Sequence, residues 1–160
     1  METRDLSATS LNAHRDNARR ESHDEVLTWA LERARWLEWE EIKVDLSHLY
    51  ADGLPRPDPT GEGGLGHVPD LTGYKGGELR VVEVKGPGAF EFAGTKTQLE
   101  ALSAYAKREG GRLTLFVPQD AEVEARAFLD LNPVDLDLHV SDREYRHEMN
   151  LDYPDYGSQG

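Results

Sequence analysis

The chain of 160 residues contains no cysteine, which excludes disulfide cross-links and thiolate metal ligands. It holds no apolar run near the length of a membrane span, so a membrane protein is not expected. Residues 1–20 carry no apolar segment of the signal-peptide kind. A cytoplasmic location is the simplest expectation. Basic residues are also scarce: 18 Lys and Arg stand against 31 Asp and Glu, a net charge of −13. That balance argues against a nucleic-acid protein, since phosphate binding rewards Lys and Arg, although some carboxylates would be offset in a cation site. The acidity is uneven, because residues 120–160 hold eleven of the acidic residues and only three of the basic ones.

What is present fits one globular domain. Residues 1–20 read as an arm, 21–140 as the domain, and 141–160 as an acidic, weakly ordered tail. A helix is predicted from Ser22, where Ser22 and Glu25 form a capping box. Val26, Leu27, Ala30, Leu31, Ala34 and Leu37 supply its apolar stripe. Trp29 and Trp36, a heptad apart, are expected in the core or at an interface. A first strand is expected over Ile42–Leu49, followed by a loop rich in Gly, Pro and Asp over 51–66.

Two apolar runs, His67–Tyr74 and Leu79–Lys85, flank Gly76-Gly77 and read as a β-hairpin with a two-residue turn. Residues 86–94 form a glycine-rich loop. Thr97 and Glu100 read as a second capping box, opening a helix that stops at Gly110-Gly111. A buried strand over Leu113–Val117, a helix over Ala121–Asp130 and an alternating strand over Val134–Val140 follow. The expected order is αβββαβαβ, an α/β fold with a mixed sheet flanked by helices.

The hairpin count carries the chemistry. Starting from Gly76-Gly77, Lys75 faces Glu78 and Tyr74 faces Leu79, so Asp70 faces Glu83. Opposed residues share a face, with Cβ atoms about 5 Å apart. Lys85, two residues beyond Glu83, lies on that face too. Like charges opposed in an apolar hairpin are destabilising. A hard divalent cation such as Mg²⁺ compensates them, because it prefers oxygen ligands. The lysine beside them suits activation of an attacking water and stabilisation of developing charge on a phosphodiester.

The segment Pro69-Asp70, twelve residues, then Glu83-Val84-Lys85 resembles the signature of the PD-(D/E)xK nuclease superfamily. Other Pro-Asp pairs occur at 57–58 and 154–155, but only this one opens a strand whose hairpin partner ends in Glu-x-Lys. GHVPDL, EVKGPG and Gln98 are similar to the VRR-NUC type, and the pattern also resembles archaeal-type Holliday junction resolvases. The resemblance spans about residues 22–117 and implies a restriction-endonuclease-like fold. It further implies a Mg²⁺- or Mn²⁺-dependent nuclease acting on nucleic acid, DNA before RNA. Asp70, Glu83 and the Val84 carbonyl would ligate the metal, Lys85 would be catalytic, and Gln98 would be an accessory active-site residue. Glu25 matches the position of an extra acidic ligand. Pairing as a homodimer is implied by many members.

Lys96, Lys75 and His67 are candidates for the nucleic-acid backbone, while Phe90 and Phe92 are expected to pack under the loop. Asp135, Asp137 and His139 alternate along the last strand and read as a solvated face. His23 reads as a bystander. The rival reading is a catalytically silent nuclease-fold module that binds protein or nucleic acid, with the acidic C-terminal region meeting a protein partner. A third is a nuclease whose tail covers its own cleft.

Overall fold

A computed structural model describes residues 22–46, 53–61 and 66–145. A first helix, α1, runs over residues 22–36. Strands β1 (Glu40–Val44), β2 (Leu71–Lys75) and β3 (Glu78–Val84) follow, then helix α2 (Thr95–Arg108) and strand β4 (Arg112–Val117). Helix α3 (Glu122–Leu131) and strand β5 (Asp137–Val140) complete the domain. Among the described residues the chain is α/β, with a five-stranded mixed sheet flanked by helices.

The five strands lie side by side in chain order. β1, β2 and β3 pair antiparallel; β3, β4 and β5 pair parallel. Hairpins explain the first half, since a two-residue turn reverses the chain. Gly76 and Gly77 both adopt positive φ, 59° and 81°, as that turn requires. Helical crossovers explain the second half, because parallel neighbours need a long connection.

The sheet separates two cores. On one face α1 sets Val26, Leu27, Ala30 and Leu31 against Leu71, Val82, Val84 and Phe116. On the other, α2 and α3 set Leu99, Leu102 and Ala125 against Val81, Leu113 and Leu115. β3 feeds both by alternation: Val82 and Val84 go to α1, Leu79 and Val81 to α2. Each fully buried Leu or Val contributes about 1.5–3 kcal/mol.

Several boundaries move. β1 begins two residues earlier than expected and ends at Val44; residues 47–49 lie outside the described residues. α2 starts at Thr95 with Gly94 at its N-cap, so Thr97 sits in the first turn and caps nothing. The Thr95 hydroxyl instead donates to the Ala89 carbonyl at 3.1 Å, tying the helix start to the preceding loop. The stop at Gly110-Gly111 is as expected: Gly110 takes φ 77°, and the Gly111 N–H reaches back to the Ala106 carbonyl at 2.7 Å. β5 is shorter than the Val134–Val140 run, yet Val134, Leu136, Leu138 and Val140 all pack on the α2–α3 core.

The two tryptophans part company. Trp29 is buried, whereas Trp36 is 77 % exposed. Residues 141–145, assigned by sequence to the tail, are bound to the domain. The Ser141 N–H donates to Val117, the Gln119 N–H to the Arg143 carbonyl, and Tyr145 packs against the α1 core. The remainder of the tail and the arm before Ser22 lie outside the described residues. Among the described residues no helix is long and apolar enough to cross a membrane.

Candidate metal and phosphodiester site

The topology brings the start of β2 and the end of β3 together at one end of the sheet. Their ladder is regular from Lys75↔Glu78 to Leu71↔Val82, the register that the turn predicts. Pro69 introduces no bulge into it. The irregular pairing lies instead between β1 and β2, where Glu41 takes φ 51°. Asp70 and Glu83 occupy the next opposed positions and are 6 % and 2 % exposed. Their carboxyl groups adjoin closely enough to interact with each other directly.

Asp70 terminates the ladder with its side chain. Its Oδ2 accepts the Val84 N–H at 2.8 Å and faces His23 Nε2 at 3.1 Å. Burial pushes the Asp70 carboxyl up, but the His23 and Val84 donors more than offset it and hold it below the ordinary range. Glu83 behaves oppositely. Burial, then the neighbouring Asp70 charge, raises its carboxyl well above the usual range, and Lys85 only partly opposes them. Glu83 Oε1 is buried with no hydrogen-bond partner. A buried unsatisfied carboxylate oxygen is costly.

Lys85 Nζ lies 3.6 Å from Glu83 Oε2 and donates to Gln98 Oε1 at 2.5 Å. Gln98 stands in the first turn of α2, so the helix start fixes the amide and the amide fixes the ammonium. Lys85, Gln98, His23 and His67 line one cleft of about 490 Å³. Its far wall is the 86–94 loop, including Pro87 and Phe92.

The chain matches no family model, no curated protein and no solved structure. The site is therefore read from its own geometry.

Of the residues singled out by sequence, Asp70, Glu83, Lys85 and Gln98 come together, and His67 borders them. Glu25 is exposed, and no described hydrogen bond or ion pair joins it to Asp70 or Glu83. The apolar stripe of α1 explains this: Val26, Leu27 and Ala30 face the sheet, and Glu25 lies off that stripe. His23 is three and four residues before Val26 and Leu27, on the stripe, and is the α1 side chain that reaches Asp70. That spacing is the signal by which it is found in sequence. The backbone group of Val84 that meets Asp70 is its N–H.

Lys75 stands at the turn, at the opposite end of β2 from Asp70, and donates to the Leu37 carbonyl at 2.6 Å. It satisfies the end of α1 and is a strand's length from the cleft. Lys96 is exposed on the first turn of α2, outside the cleft lining. Asp135 and Asp137 are taken up by Lys107 and Arg112, and His139 stacks on Phe116 with ring centroids 5.2 Å apart. Among the described residues no group of three or more His, Asp or Glu side chains stands ready to enclose a metal ion.

Proposed function

We propose that the protein is a Mg²⁺- or Mn²⁺-dependent nuclease of the PD-(D/E)xK kind, hydrolysing phosphodiester bonds of DNA in the cytoplasm. The observation that carries this reading is the buried Asp70–Glu83 pair with Lys85 beside it and Glu83 Oε1 unpartnered. The donor set fits a hard cation. Two carboxylates supply oxygen ligands, and a cation would both satisfy Oε1 and relieve the repulsion that raises Glu83. When bound, the metal supplies Lewis-acid polarisation of the phosphate.

The residues of the chain do the rest. Asp70 is oriented by Val84 and His23. Lys85, steered by Gln98, presents an ammonium where charge develops on the phosphate oxygens. The cleft beside Lys85 and Gln98 would hold the nucleic acid at this end of the sheet. The restriction-endonuclease-like assignment rests on the same hairpin and on the mixed sheet with helices on both faces.

Purified protein with Mg²⁺ or Mn²⁺ is expected to nick or cut DNA, and Lys85→Ala to abolish cutting while the far-ultraviolet circular dichroism is unchanged. Cutting that survives in that variant removes the mechanism. The second reading is a catalytically silent module that binds protein or nucleic acid. Calorimetric titration with Mn²⁺ separates the two: binding lost in Asp70→Ala supports the enzyme, and no binding supports the module.

A further inference from the structure

We propose that the protein carries a second binding site, in the groove between α1 and the β3–β5 half of the sheet, for a small aromatic phosphate ester of the nucleoside monophosphate class, with Arg33, Arg80 and Thr114 receiving the phosphate. The inference stands apart from the nuclease reading and does not depend on it.

The sheet makes the groove. Register sets Arg80 and Val82 of β3 beside Arg112 and Thr114 of β4, and Thr114 and Phe116 beside Asp137 and His139 of β5. These positions share the face on which α1 lies, since Val82 and Phe116 belong to the α1 core. A single helix about 10 Å across covers roughly two strands spaced about 4.8 Å apart. Beyond Ala30 and Ala34, whose side chains are short, a cavity of about 320 Å³ stays open. That is the scale of a pocket for one small organic molecule. Asp70, Glu83 and Lys85 take no part in its lining, so it is not the proposed metal site.

Cations gather there although the chain is acidic. Arg33 comes from α1 and Arg80 from β3, and both line the cavity. Arg33 is exposed, and no hydrogen bond or ion pair joins it to a described residue. Its charge falls instead on His139, which burial and then Arg33 hold below the ordinary histidine range. Arg80 meets Glu78 at 3.4 Å, but both side chains are at least a third exposed, and such a pair contributes little. The carboxylate on the cavity wall, Asp137, is already taken: Arg112 donates to both of its oxygens, at 2.7 and 2.9 Å. Lys75 also borders the cavity and serves the Leu37 carbonyl. An anion would relieve the unmatched positive charge of Arg33 and Arg80.

The donors select the anion. Thr114 presents a half-buried hydroxyl with no described partner, and neutral His139 offers one ring N–H. With the guanidinium forks of Arg33 and Arg80, the donors approach from one helix and three strands. A carboxylate presents two oxygens in a plane, whereas a phosphate monoester turns three outward in a tetrahedral array, which suits donors from several directions. The floor selects the rest of the ligand. Val82, Phe116 and Leu138 make it apolar, a surface that inorganic phosphate would leave unused and an attached ring would bury.

Calorimetric titration of the native chain in EDTA tests this with adenosine monophosphate, adenosine, inorganic phosphate and benzoate. The monophosphate is expected to bind at least about tenfold tighter than the other three. Arg33→Ala should weaken it about tenfold, and Arg33→Lys should recover only part, because an ammonium lacks the fork. The Arg33 side chain is exposed and unpaired, so both variants keep the fold, which circular dichroism checks. Lys85→Ala is expected to leave the affinity unchanged. A dissociation constant above about 1 mM for the monophosphate overturns the inference. So does binding of phosphate or benzoate as tight as that of the monophosphate, indifference to Arg33→Ala, or loss of binding in Lys85→Ala, which would put the nucleotide in the other cleft. None of these readouts involves cutting of DNA, so the nuclease reading stands or falls separately.

Discussion

His23 Nε2 stands 3.1 Å from Asp70 Oδ2, joining the first turns of helix α1 to the edge of the sheet. The contact crosses 47 residues of sequence and aligns one carboxylate of the proposed metal pair. Groups that orient a ligand commonly matter about 10–100-fold in metal affinity. His23→Ala is therefore expected to weaken Mn²⁺ binding in calorimetry by about that factor, and His23→Gln, which retains a donor, to recover part of it. Unchanged affinity in both variants would make the contact incidental.

The same contact sets a pH dependence. Burial disfavours the charged imidazole, but Asp70 and, less strongly, Asp24 outweigh it and raise His23 from 6.5 to about 9. A raised histidine stabilises the folded chain fully below its unfolded pKa, and the contribution is lost as pH rises through the folded one. Metal-free stability is expected to fall between about pH 6.5 and 9. Urea midpoints across that range should show the decline, and His23→Gln should flatten it.

Glu83 pulls the other way. Its raised carboxyl favours the protonated form when folded, so the group costs stability as pH climbs above its ordinary value of 4.5. Glu83→Gln is expected to raise the metal-free melting temperature at pH 7.5 by a few degrees and to abolish stabilisation by added Mn²⁺. Calorimetry with and without the metal reads both effects. A fall in metal-free stability would show that the carboxylate is better compensated than its burial implies.

Gln98→Ala isolates the steering of Lys85. With the 2.5 Å hydrogen bond removed, the ammonium keeps Glu83 at 3.6 Å as its partner among the described residues. A loss of about tenfold to a hundredfold in kcat, with KM nearly constant, is the expected result for a group needed in the transition state. A change confined to KM would place Gln98 on the substrate instead.

Gly111 tests the packing at the turn end of the hairpin, away from the site. A Cβ there would collide with the Leu79 carbonyl oxygen, a backbone atom that cannot swing aside. Gly111→Ala is expected to destabilise the fold by about 1–3 kcal/mol, measured by denaturant titration. No loss would mean that the turn after α2 yields easily.

The periodicities that hold a core were legible in the sequence. The stripe of α1, the Gly-Gly turn and the doubly buried β4 follow from apolar spacing and two positive-φ positions. Because the turn fixes register, the meeting of Asp70 and Glu83 was legible too. Roles outside those periods were not. Glu25 fits a motif, yet the stripe beside it directs His23 inward. Lys75 has the charge for a phosphate, but its place at the hairpin tip gives it to the end of α1. Phe90 packs against Phe128 in α3, ring centroids 5.2 Å apart, a partner that no local pattern reveals. Thr97 and Glu100 have capping spacing, but Gly94 and the Thr95–Ala89 bond start the helix two residues sooner.

The hairpin turn holds a further lesson for anyone altering this chain. Pleated strands expose alternate residues to opposite sides, so one amino acid added between Gly76 and Gly77 would slide β2 past β3 by a single step. Asp70 would then lose Glu83 as its neighbour although both carboxylates were still encoded. A change of loop length at the tip, distant from both carboxylates, would part the pair as surely as deleting one of them.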